Sequence, residues 1–268
     1  MKTTLTFLVS LLLGGYTSLD ASSNTVKTFE YDFISDNSDI GDIKQIYIVE
    51  DDKLFIVTHS HLKYSSWQGS IDFEESSIEE YKNHSLLIKS EYFNIDYDEE
   101  VLYYTKFQKN KNNYSALIFT KDEIDKKDIT NFISFKNSTL KVEYKNLHKI
   151  KIETSSLKKL ADNNISINNF HTTNNLFPLY YKKHKITKRL KTLSLLDSEI
   201  NEVAIFDKGF VELKIKNKTF ITRHLKIIPE NQKPSEIWIA DEKSNLPYIV
   251  RYKGSDEDGD YELILKGD

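Results

Sequence analysis

The sequence has no cysteine, and only eight glycines, four prolines and two tryptophans among its 268 residues. Without cysteine there is no disulfide framework, no thiol nucleophile and no attachment point for the lipid anchor of a bacterial lipoprotein. The scarcity of glycine and proline argues against a flexible linker dividing the chain. Long apolar runs are scarce as well. The run from Leu5 to Leu13, broken by Thr6 and Ser10, is far short of the ~20 residues that cross a bilayer as a helix. There is no Gly-x-Ser-x-Gly elbow, no His-Glu-x-x-His pair and no glycine-rich phosphate loop. These absences leave no identifiable reaction and imply no cofactor.

The apolar run has a different meaning at the chain start. Met1-Lys2 precedes it, and Gly14, Gly15, Thr17 and Ser18 follow. That is the three-part layout of a secretory signal peptide. Small residues at Ala21 and Ser23 place the cut before Asn24, so 1–23 are expected to be removed. The mature chain, 24–268, is expected in a periplasm or secreted. It is not expected to be an integral membrane protein, because no second long apolar run follows.

What is present is enough for a sizeable core: 39% hydrophobic residues, with 16 tyrosines and 15 phenylalanines. The net charge of −4 conceals an asymmetry. Residues 24–100 carry 18 acidic and 6 basic groups, whereas 136–191 carry 3 acidic and 13 basic ones. Opposite charges can face each other within one fold, or the basic segment can meet an anionic envelope surface. Nucleic acid is not expected, since the compartment is wrong and no nucleic-acid motif occurs.

Alternation of period two dominates the pattern. Ile46 to Val57, reversed at Asp51-Asp52, reads as a hairpin. Val211 to Ile215 alternates cleanly and turns at Asn217-Lys218 into Phe220 to Ile228. Asp207-Lys208-Gly209 reads as a turn from the preceding strand, Glu202 to Phe206. Strands are also expected at Glu236–Ala240, Tyr248–Lys253 and Tyr261–Leu265, with a hairpin turn over Asp256 to Asp260. Helices look few and short: Leu157–Ala161 capped by Ser155-Ser156, and Pro178–Lys185. The expected fold is mainly β, a curved antiparallel meander forming a single domain over 24–268. A basic, partly helical insert is expected at about 122–190.

Thr222-Arg223-His224-Leu225, then Glu236 to Asp241, then Leu246-Pro247-Tyr248-Ile249-Val250-Arg251-Tyr252, resembles a hairpin pattern of uncharacterised bacterial exported families. Tyr31-Asp32-Phe33 followed by Ile40-Gly41, and Ser66-Trp67-Gln68-Gly69-Ser70-Ile71, are similar to the same families. The resemblance implies an unclosed antiparallel β-barrel like that of periplasmic lipoprotein carriers, which hold acyl chains in their concavity. It carries no catalytic residues.

Candidate sites follow from residue chemistry. His59 and His61, two apart on a strand, share a face, and with His84 they would make a weak transition-metal candidate against the plainer reading of a solvated strand face. Glu74-Glu75 and Glu79-Glu80 are paired carboxylates of the kind hydrolases use, and are otherwise read as exposed charges near a strand end. Trp67, Trp238, Tyr180 and Tyr181 are aromatic candidates for lining a ligand cavity, or else core packing. The leading expectation is a non-catalytic binding or carrier protein for an apolar or amphipathic, lipid-like envelope ligand. The alternatives are a structural or interaction module using the basic 136–191 segment, and a hydrolase.

Overall fold

The computed structural model describes residues 25–36, 38–66, 69–122, 158–184, 189–195, 198–230, 233–240, 247–255 and 259–266. The expected signal peptide, Trp67, Asp256–Asp258 and much of the basic segment lie outside the described residues.

The alternating pattern produces strand after strand, each reversed by a short polar turn. The first seven form a meander: β1 (Thr25–Ser35), β2 (Ser38–Glu50), β3 (Lys53–Ser66), β4 (Gly69–Lys82), β5 (Leu86–Asp96), β6 (Val101–Asn110) and β7 (Asn113–Asp122). After residues 123–157, β8 (Lys158–Ser166) pairs with β7. A one-turn 3-10 helix at Ile167–Asn169, capped by Ser166, leads to β9 (Thr172–Thr173) and the helix α1 (Phe177–His184). The remaining strands are β10 (Arg189–Ser194), β11 (Glu199–Ile215), β12 (Lys218–Pro229), β13 (Ser235–Ala240), β14 (Tyr248–Ser255) and β15 (Asp260–Leu265).

All these strands form one sheet in the order β8-β7-β6-β5-β4-β3-β2-β1-β15-β14-β13-β12-β11-β10-β9. Every pair is antiparallel except β9 with β10. With so few glycines, left-handed turn positions among the described residues fall to Asp36, Asp51, Asn83, His84, Glu100, Lys111, Ser198 and Lys216. Asn and Asp tolerate that region best, and elsewhere an L-residue there costs about 1–2 kcal/mol. Gly41 is a position where glycine is required: its φ is +152°, and a Cβ there would sit 2.1 Å from the carbonyl oxygen of His61.

One core gathers side chains from both arms of the sheet. Tyr31 and Phe33 of β1 meet Leu54 and Ile56 of β3, and Leu225 and Ile237 of β12 and β13. Leu176, Phe177, Leu179 and Tyr181, from α1 and the residue before it, are buried in the same cluster. The sheet therefore curls around α1. Its two edge strands, β8 and β9, are linked by residues 167–171 alone but do not pair, so the sheet is not closed into a barrel.

Two local expectations are corrected. The segment Leu157–Ala161 does not form a helix: from Lys158 it is strand β8, because the free edge of β7 offers a ladder of backbone partners that outweighs a short, weak helical pattern. Asp207-Lys208-Gly209 does not reverse the chain. β11 runs through it, and the extra residue is taken up as a β-bulge between Asp207 and Gly209. The helix expected from Pro178 is present, with Pro178 in its first turn, where a missing N–H leaves no bond unmade.

Candidate functional site: a buried polar seam and an open cleft

The interior of the curled sheet is closed by a polar seam. Alternation along β4 turns Glu75 and Glu79 inward, and both are buried. This corrects their reading as exposed charges. Glu79 accepts hydrogen bonds from Tyr81, from Tyr92 Oη (2.8 Å) and from the amide of Asn175. Asn175 Nδ2 also donates to Tyr92 Oη (2.6 Å), and Tyr81 Oη meets Thr173 Oγ1 at 2.7 Å. β4 and β5 are thereby tied to the segment leading into α1. Burial pushes the Glu79 carboxyl up to about 7, and the three hydrogen bonds only partly oppose this.

On another wall, Tyr181 Oη donates to Asp207 (2.6 Å), which Arg223 also grips through Nε (2.8 Å). Although partial desolvation opposes it, the Arg223 and Tyr181 bonds hold Asp207 below the usual carboxylate value. Helix α1 is thus fixed near both ends of its apolar face.

A second feature is open. Between β1, β15 and the β11–β12 hairpin lies a cleft of about 670 Å³, with Phe29, Phe220, Tyr248 and Leu265 along its walls. Phe29 stacks on Tyr248 (centroids 4.7 Å apart) and meets the edge of Tyr47 (5.6 Å). Phe29 and Phe220 pack against the main core, so the walls continue it outward. The rim is cationic: Lys27, Lys218 and Lys266, with Glu30. Lys266 bonds to Asp42 and lies 3.1 Å from Asp32. Although partial desolvation works against it, these carboxylates hold its ammonium above the ordinary lysine value. A smaller cleft of about 380 Å³ lies beside Asp36, Glu236, Lys253 and Glu262.

The sequence candidates are dispersed. His59 and His61 share the outer face of β3 and meet cross-strand partners: His59 Nδ1 and Ser76 Oγ are 2.9 Å apart, and His61 Nε2 and Asp72 Oδ1 are 3.0 Å apart. His84 sits in the turn before β5, beside the Asp51-Asp52 turn, and therefore about 20 Å from His59 at ~3.3 Å per strand residue. Among the described residues no group of three or more His, Cys, Asp or Glu is placed to hold a metal ion. Glu74 faces outward, away from Glu75 and Glu79, and accepts from Tyr97 Oη at 2.6 Å.

Trp238 lies on the face opposite the core, stacked on His224 (4.3 Å) and capped by Arg251 (5.5 Å). Tyr181 is a core residue, and Tyr180 lies half-buried against it near His171 (6.3 Å). None of these lines the open cleft. Its walls were missed because Phe29, Phe220 and Tyr248 read in sequence as ordinary inward strand positions. The signal lay in Lys27 and Lys218, lysines on the same strand faces as Phe29 and Phe220.

Of the basic segment 136–191, the described residues Thr172–Phe177 are buried, while 136–157 and 185–188 lie outside the described residues. Among the described residues no helix is long and apolar enough to cross a membrane. No family model, no curated protein and no solved structure matches the chain.

Proposed function

We propose that this chain is an exported, non-catalytic binding protein that takes an apolar or amphipathic, lipid-like ligand of the cell envelope. The observation that carries the reading is the cleft of about 670 Å³: aromatic walls continuous with the core, and lysines at the rim. An apolar tail gains from leaving water along Phe29, Phe220 and Tyr248, and an anionic head gains from Lys27 and Lys218. The place of binding differs from that of the carriers the sequence resembles. Leu176 to Tyr181 fill the interior, so the ligand is assigned to the mouth and not to a deep concavity. The buried Glu79 seam does not favour a hydrolase, since its carboxylate is enclosed by Tyr81, Tyr92 and Asn175 and not presented to a cleft.

The test is ligand capture. Protein purified without detergent from its own envelope is expected to carry a lipid-like adduct in native mass spectrometry. It is also expected to bind a fluorescent acyl probe, and Phe220→Asp is expected to lose both while its circular dichroism stays unchanged. A bare mass together with no probe binding overturns the reading.

A further inference from the structure

The Glu79 seam spans a boundary that no backbone ladder closes. Tyr81 and Tyr92 belong to the β4–β5 ladder, whereas Thr173 and Asn175 stand at and just after β9, the far edge strand. Tyr81 Oη donates to Glu79 and accepts from Thr173 Oγ1. Tyr92 Oη donates to Glu79 and accepts from Asn175 Nδ2, which also reaches Glu79. Among the described residues, the backbone bonds of Thr172–Tyr181 run instead to β10 or within the segment: Asn174 N–H to Leu193 O (3.1 Å) and Tyr180 N–H to Leu176 O (3.0 Å). At its far end the segment is held to β11 and β12 through Tyr181, Asp207 and Arg223. It therefore belongs to the β10–β12 side of the sheet, and side chains alone bind it to β4 and β5.

No cation compensates the Glu79 carboxylate among the described residues. It faces Tyr81 on its own strand, Ile56 on β3, Ser90 and Tyr92 on β5, and Asn175 from the α1 segment, with Thr173 beyond Tyr81. Glu75 is the other carboxylate buried on this face of β4. Burial holds both phenols well above their ordinary value, so they stay neutral donors. A neutral carboxyl is tolerated in such a site, whereas a carboxylate there is a buried charge without a counter-ion. Water is the available remedy. It cannot reach Glu79 through the β4–β5 ladder without breaking backbone bonds, but it can where the α1 segment meets that ladder. There it would also meet Ser90 Oγ and Asn175 Oδ1, both buried without a hydrogen-bond partner.

We infer that Glu79 is a pH-sensitive clasp: loss of its proton parts the segment Thr172–Tyr181 from β4 and β5 and admits water to the interior of the curled sheet. The inference stands apart from ligand capture, since none of these residues lines the open cleft. Once parted, the eight-residue helix is marginal in water and its amides exchange. Hydrogen exchange of the full chain, followed by mass spectrometry from pH 5 to 9, tests the clasp against Glu79→Gln, a comparison that cancels the intrinsic pH dependence of exchange. The ratio of wild-type to Glu79→Gln exchange over Thr172–Tyr181 is expected to rise on the order of a hundredfold between pH 5 and pH 8, levelling off above about 7. At every pH, Tyr261–Leu265 of the central β1–β15 ladder is expected to exchange more slowly. Tyr92→Phe removes one donor to the carboxylate and is expected to carry the rise to higher pH. Read against the intrinsic rates of an unfolded chain, that variant serves equally if Glu79→Gln does not fold. A ratio that does not change with pH, exchange of Thr172–Tyr181 at the same rate as Tyr261–Leu265, or Tyr92→Phe levelling off where the wild type does, overturns the proposal.

Discussion

The interior seam at Glu79 and the mouth at Phe29 sit against the same apolar core, yet they are built in opposite ways. At the seam every partner is polar, buried and specified: one carboxylate, two phenols and an amide from β4, β5 and the segment before α1. At the mouth the walls are aromatic, the charges stand at the rim, and space remains. Buried hydrogen bonds fix position because leaving one unmade is expensive, whereas apolar surface is indifferent to which apolar partner covers it. The seam therefore holds the chain's own segment, and the mouth is suited to something the chain does not supply.

The contrast can be broken first at the seam. Glu79→Ala removes the acceptor shared by Tyr81, Tyr92 and the Asn175 amide in a dry site and is expected to cost about 3 kcal/mol in urea unfolding. A loss below ~1 kcal/mol would show that the seam is not what holds α1 in place.

The same carboxyl sharpens the contrast through pH. Its folded value is raised, to about 7 from 4.5, so the fold favours the protonated form. Its stabilising contribution is complete below pH 4.5 and is lost as pH rises through 7. Between those limits the wild type is expected to lose on the order of 3 kcal/mol relative to Glu79→Gln. Parallel stability curves for the two proteins would count against a buried, titrating Glu79.

At the wall opposite, Tyr181→Phe removes one donor from Asp207 and leaves Arg223 in place, and an expected loss of about 1 kcal/mol is measurable by the same method. At the mouth, Phe220→Asp is expected to abolish probe capture at a stability cost of only about 1 kcal/mol, since Phe220 is partly exposed. The smallest effect lies on the outer face. Desolvation holds His224 below its ordinary value although Glu236 opposes it. In a Trp67→Phe background, the fluorescence of Trp238 is expected to titrate with a midpoint below 6.5 as His224 beneath it protonates. A midpoint above that value would show that Glu236 dominates.

Much of the architecture was legible because alternation is a strong signal where one face is buried. Ile46–Val57 about Asp51-Asp52 and Val211–Ile228 about Asn217 could be read as hairpins from the pattern alone. What was not legible depended on partners distant in sequence. Lys158–Ser166 is a strand because β7 needs a neighbour, not because of anything within the segment. Glu75 and Glu79 looked like exposed charges because the donors that receive Glu79 include Asn175, far along the chain. The cleft was hidden for a similar reason: Phe29 and Phe220 lie far apart in the chain, on β1 and β12, and are brought together only by curvature.

The pairing of β1 with β15 has a consequence for how the sheet assembles. Tyr31 opposite Leu265 sits at the middle of the ladder, so its central seam joins segments from near the two extremes of the described chain. Apart from the break at that seam, the ladder follows chain order: β1 to β8 on one side, β9 to β15 on the other. A circular permutant that starts before β9, passes from β15 directly into β1 and finishes at β8 would make every neighbour sequential. Such a rearranged chain keeps the same native contacts with far shorter loops to close, and it should reach them faster.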